Sequence, residues 1–125
     1  MRSAFAMALM ACAFAFAPGR AGLAQDGCPE PPVPAPVDGA QVSEDQMRAA
    51  AAAAREFIAQ SDVYQACLAN AVHAARIQAA SAGKPFDAAV ESAAKARADA
   101  NQKVKEKVGA EINTAISVYK QTHLK

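Results

Sequence analysis

Three cysteines, two histidines and a scatter of carboxylates are the chemistry-bearing residues of this 125-residue chain. Cys28 and Cys67 have the plainest chemistry, because two thiols that meet in an oxidising compartment form a disulfide. His73 invites a metal reading, with Asn70 and Cys67 upstream of it on one helical segment. The spacing from Cys67 to His73 puts the two side chains on different helix faces, whereas helical ligand pairs sit three or four residues apart. A cysteine held in a disulfide also cannot ligate.

Glu56, Asp62, Glu91, Asp99, Glu106 and Glu111 have the chemistry for acid/base work or a carboxylate metal cluster. No Glu-x-x-His pair of the kind used in bundle-core metal centres accompanies them. Asp99 and Glu106 lie at helical spacing from Lys103, and such pairs read as surface ion pairs worth a few tenths of a kcal/mol. The chain offers no Ser/His/Asp or Cys/His arrangement and no glycine-rich phosphate loop. The expectation is therefore a non-enzymatic protein with no catalytic residue, no metal ligand and no cofactor.

The elements that must position these residues begin after an export signal. Met1 and Arg2 precede an apolar run from Ala4 to Ala17 that is too short to span a bilayer, and Gly22 and Ala24 are the small residues before the expected cleavage. Residues 1–24 read as a signal peptide carrying Cys12 away, and the mature chain as periplasmic or secreted, with no membrane segment left. Losing Arg2 and Arg20 takes the thirteen basic residues to eleven against twelve acidic ones, a net charge of −1. That balance argues against nucleic acid as a partner.

Residues 43–125 read as a helical hairpin. Ser43 and Gln46 form a capping box, Val42 and Met47 a hydrophobic staple, and Glu44 and Asp45 favour the positive end of the helix dipole. Gly83 and Pro85 end that first helix near residue 82. Ser61 and Asp62 prefer caps to interiors, so a kink can arise there. A second helix capped by Asp87 runs to about residue 120, and the short turn makes it an antiparallel neighbour.

Residues 25–42 carry prolines at 29, 31, 32, 34 and 36 and read as an extended polyproline II tail. Folded back from Ser43, the stretch from Cys28 reaches about 46 Å at 3.1 Å per residue. The rise from Ser43 to Cys67 is about 36 Å at 1.5 Å per residue, so an intrachain bridge is within reach. An intermolecular bridge is the competing outcome. The fold class is then all-α: a two-helix antiparallel hairpin with the tail stapled to the first helix.

Phe57, Tyr64 and Leu68 on the first helix, and Val104, Val108 and Ile112 on the second, recur at helical spacing and form the expected contact faces. A symmetric pivot at Lys84 places Ile112 opposite Phe57, Val104 opposite Tyr64, Ala94 opposite Ala75, and Asn101 near Leu68. It also sets Val108 and Gly109 beside Gln60 and Ser61, where small residues would let the backbones approach. Asn101, with Arg97 one turn before it, is a polar residue at a seam position, the kind that fixes register.

An export signal, a cysteine in a proline-rich tail, SDVYQACL at 61–68 and ANQKVKEKVGAEINTAISVY at 100–119 together resemble small exported helical proteins of Gram-negative bacteria, a group with no assigned activity. The resemblance implies a periplasmic location and carries over no functional residue. From the residues themselves, two long stripes with few large apolar side chains leave a thin core. That predicts self-association into a homodimeric four-helix bundle, or the docking of a protein partner. The alternative is a small-ligand or metal-binding protein using Asn101 and His73.

Overall fold

The computed structural model describes residues 27–124. The expected signal peptide at 1–24 and the first two tail residues lie outside them. Two helices, α1 (Glu44–Ser81) and α2 (Ala88–His123), pack against each other as an all-α hairpin. No described helix is long and apolar enough to cross a membrane.

Local chemistry accounts for the helix ends. Ser43 Oγ accepts from the Gln46 amide at 3.3 Å, and Gln46 Oε1 accepts from the Ser43 amide at 2.8 Å. Met47 is buried and Val42 half-buried beside this box. Gly83 takes φ +63°, and the Lys84 amide donates back to the Ala79 carbonyl at 2.9 Å, closing the last turn of α1. Asp87 caps α2 by accepting from the Ala89 amide at 2.9 Å. At the far end α2 outruns the expected stop at residue 120 and continues to His123. The His123 ring stacks on Tyr119 with centroids 4.4 Å apart, and the Leu124 amide donates to the Lys120 carbonyl, which together carry the extra turn. No break occurs at Ser61 or Asp62: α1 runs through both, and the Ser61 hydroxyl finds its partner on α2.

The pairing of the two helices departs from a symmetric pivot at Lys84. Asn101 bonds Ser61 and Gln65, and Ala94 packs on the Tyr64 and Leu68 cluster. Val104 packs with Ala54, Phe57 and Val108, and Ile112 packs on the same cluster as Phe57, its expected opposite. The connection explains this shift. After Gly83 reverses the chain, residues 84–87 run without helix, and Phe86 lies under Arg76 with the guanidinium carbon 4.4 Å from its ring centroid. Extended residues rise about 3.3 Å each against 1.5 Å in a helix. The connection therefore lies beside α1 before α2 begins, and the interhelical pairs Gln65–Gln102, Asp62–Lys105 and Arg76–Glu91 each fall two residues short of the symmetric pairing.

Cys28 and Cys67 are joined by a disulfide with their Cα atoms 5.7 Å apart. The tail between Cys28 and Gly39 lies along the furrow between the helices. Cys28 and Pro31 are buried and Pro34 and Val37 half-buried, whereas Pro29, Glu30, Pro32, Val33, Ala35 and Pro36 are exposed. Burial at every third residue is the repeat of a polyproline II helix laid with one edge inward. Gly39 ends this run against α2, where a Cβ would sit 2.0 Å from the Ala115 carbonyl oxygen. A turn follows, in which Asp38 accepts from the Ala40 and Gln41 amides, and the chain enters α1.

Two apolar clusters make the core. One joins Cys28, Tyr64 and Leu68 with Ala94 and Ala98 against it; the other joins Ala54, Phe57 and Val108 with Val104 and Ile112 against it. Gly109 does not serve a close helix approach, since a Cβ there would meet nothing within 4 Å. The close approach is Gly39 on α2 instead. Gly109→Ala is accordingly expected to stabilise the protein by about 1 kcal/mol, the usual cost of glycine in a helix interior. Urea unfolding checks this, and a loss of stability would mean that the position is tighter than described.

Candidate functional site

Between the two apolar clusters the structure places a polar seam, built by residues whose own helices leave their side chains pointing at each other. Asn101 is 2% exposed and Ser61 fully buried. Asn101 Nδ2 donates to Ser61 Oγ at 3.2 Å, and Asn101 Oδ1 accepts from Gln65 Nε2 at 2.9 Å. Gln65 Nε2 also reaches Gln102 Oε1 at 3.2 Å. Nearer the disulfide, Arg97 Nε donates to the Tyr64 hydroxyl at 3.0 Å, and Arg97 Nη2 reaches the Cys28 carbonyl at 3.4 Å. The guanidinium carbon lies 5.4 Å from the Tyr64 ring centroid. Arg97 thus ties α1, α2 and the tail together at one point.

Charged pairs also link the two helices. Lys105 Nζ contacts Asp62 Oδ1 at 2.6 Å, and Arg76 Nη2 contacts Glu91 Oε2 at 2.5 Å. Both pairs have an exposed carboxylate, so each contributes at most about 1 kcal/mol. Asp99 pairs with Lys95 on its own helix rather than with Lys103.

Of the sequence-expected face residues, Phe57, Tyr64, Leu68, Asn101 and Val108 are buried and Val104 and Ile112 half-buried. They fall into three groups rather than one stripe. Tyr64 and Leu68 join Cys28, while Phe57, Val104, Val108 and Ile112 form the second cluster with Ala54, and Asn101 stands between the groups. His73 is exposed, and Cys67 is held in the disulfide. Among the described residues no group of three His, Cys, Asp or Glu side chains is placed to hold a metal ion. Arg97, Ser61 and Gln65 belong to the seam but carry no signature of it in the sequence beyond helical spacing. Gly39 is likewise legible only as a turn residue.

The furrow itself holds little space. Under the tail, between Pro34, Val37, Ala54, Val108 and Ile112, the remaining void is about 20 Å³, enough for one water. Beyond it, Pro36 to Gly39 and the Ala110, Glu111, Thr114, Ala115 and Val118 side of α2 line an open depression of about 340 Å³. Every described buried side-chain polar atom has a hydrogen-bond partner. This arrangement can fix register and hold the tail, and its polar groups are turned toward one another.

The seam makes a direct prediction. Asn101→Ala strands the Ser61 hydroxyl and one Gln65 bond, and is expected to cost about 2 kcal/mol, the range for leaving a buried polar group unsatisfied. The double variant Ser61→Ala with Asn101→Leu, which removes both partners together, should recover most of that loss. Denaturant unfolding of the set decides it. A double variant no more stable than the single would mean that the pair does more than satisfy itself.

No protein family, curated protein or solved structure matches this chain.

Proposed function

We propose that the mature chain is a non-enzymatic helical module of the periplasm or extracellular space that acts by contact, through self-association or by holding another protein. The observation that carries this reading is the tail, which fills the furrow where a ligand would sit and is pinned at both ends, by the Cys28–Cys67 bridge and by Gly39 on Ala115. The polar groups of the seam are spent on one another. What remains for the outside world is surface. The disulfide accords with an oxidising compartment, as an exported chain would meet.

Contact is the work that a rigid, stapled surface does well, because its conformational entropy is lost in folding and not again in binding. Light scattering on the oxidised protein over a wide concentration range tests the self-association arm, with a homodimer as the expected species. A strictly monomeric chain removes that arm and leaves a heterologous protein partner. A chain that also retains no partner by chemical cross-linking in its native compartment would overturn the reading as a whole.

A further inference from the structure

We infer that the outward edges of the pinned tail, together with the depression beside it, form a docking surface for a protein domain that reads polyproline II helices through an aromatic-lined, basic-rimmed groove. This rests on the contact-module reading and names its partner chemistry.

A polyproline II helix presents three edges, since it repeats every three residues. The edge of Cys28, Pro31, Pro34 and Val37 faces the furrow. The other two edges, Pro29, Pro32 and Ala35 on one and Glu30, Val33 and Pro36 on the other, stand in solvent. Val33 is 58% exposed in the middle of them, an apolar side chain for which the fold has no use. Polyproline II segments are recognised when aromatic side chains slot between such ridges, and the preformed helix keeps the entropic cost low. Here that cost is lower still. The disulfide fixes one end of the segment and the contact of Gly39 with α2 fixes the other, so the ridge is ordered before any partner arrives.

Pro36 belongs both to the ridge and to the rim of the 340 Å³ depression, whose floor includes Val37, Ala115 and Val118. Val33 and Pro36 share one edge of the ridge, and Pro36 joins that edge to the depression. The charged margins of this surface are acidic: Glu30 at one end, Asp38 and Glu111 at the other. Glu111 is ion-paired with Lys107 at 3.7 Å, so the charge offered to a partner rests chiefly on Glu30 and Asp38. A complementary groove therefore carries aromatic residues for the ridge, one apolar side chain for the depression, and Lys or Arg opposite the acidic margins.

The test is a titration of isotope-labelled oxidised protein, followed by NMR, with an SH3 domain and a WW domain, each carrying Lys or Arg at the rim of its groove, as the probes. The expected result is that at least one domain shifts resonances confined to residues 29–38 and 110–118. Val33→Asp should weaken that binding at least tenfold, with Pro32→Ala as a second, milder variant. Ile77→Asp, on an exposed apolar residue of α1, should leave it unchanged. Melting temperatures equal to the parent's show that the variants remain folded.

No shift with either domain overturns the inference, as does binding that ignores Val33→Asp or that maps to the helices away from the tail. Shifts that grow with protein concentration alone would assign the ridge to a second copy of this chain, and also overturn it. A chain that is monomeric by light scattering but binds the reader at its ridge keeps this inference while losing the self-association arm, so the two failures are distinguishable.

Discussion

Replacing both bridging cysteines by alanine is expected to lower the unfolding free energy of the oxidised protein by about 4 kcal/mol. The bridge closes a loop of sequence separation 39. Loop-closure entropy for a ring of that size amounts to about 4 kcal/mol removed from the unfolded ensemble. Cys28 is itself buried against Tyr64 and Leu68, so losing the sulfur also loses packing. Small domains have total stabilities of about 5–15 kcal/mol, and a loss of this size is a large fraction of that. The tail should suffer first. Once unpinned, it keeps the burial of Pro31, Pro34 and Val37, the Arg97 hydrogen bond to the carbonyl of residue 28 and the Gly39 contact, while α1 retains its own caps and α2. Urea unfolding of the parent and the double variant gives the magnitude, and hydrogen exchange of residues 33–42 gives the order. A loss under about 1 kcal/mol would show that the tail stays docked by packing alone and that the bridge is incidental.

The second large effect is expected at Gly39. A methyl group there would lie 2.0 Å from the Ala115 carbonyl oxygen, 2.9 Å from its carbon and 2.9 Å from the Tyr119 amide nitrogen. All three are backbone atoms inside α2, so no side-chain rotation relieves the clash. The φ of Gly39 is not positive, and the constraint is space alone. Gly39→Ala must push the tail off α2 or bend the helix, and forced overpacking of this kind costs about 2–3 kcal/mol. Gly39→Val should cost more. Gly83 is the useful contrast: it has φ +63° and open space around it, so Gly83→Ala costs only the left-handed strain of about 1–2 kcal/mol. The two variants can be separated by where protection from exchange is lost. Gly39→Ala should expose residues 36–42 and Gly83→Ala the last turn of α1. A Gly39→Ala protein as stable as its parent would mean that the tail does not lie on α2 in solution.

These two positions also connect stability to the proposed contact role. The bridge and Gly39 hold the ends of the ridge that carries Val33 and Pro36. Either substitution should therefore weaken recognition of the tail more than a surface change elsewhere of equal stability cost. Preorganisation is what each of them removes.

What the sequence by itself determined follows from chemistry that acts over a few residues or from fixed dimensions of the chain. Ser43 and Gln46 announce the start of α1, Gly83 and Pro85 its end, and Asp87 the start of α2, because each satisfies or denies neighbouring backbone groups. The reach of a proline-rich tail against the rise of a helix put Cys67 within range of Cys28, and the structure chose the intrachain bridge over an intermolecular one. The tertiary structure decided the register. The course of residues 84–87 is not written in residue types, and only the packed helices show that Asn101 bonds Ser61 and Gln65. It decided also that the missing third layer of a thin core comes from the chain's own tail. Whether a glycine is a turn or a point of contact depends on what lies across from it, and only packed helices reveal that Gly39 touches Ala115 while Gly109 touches nothing.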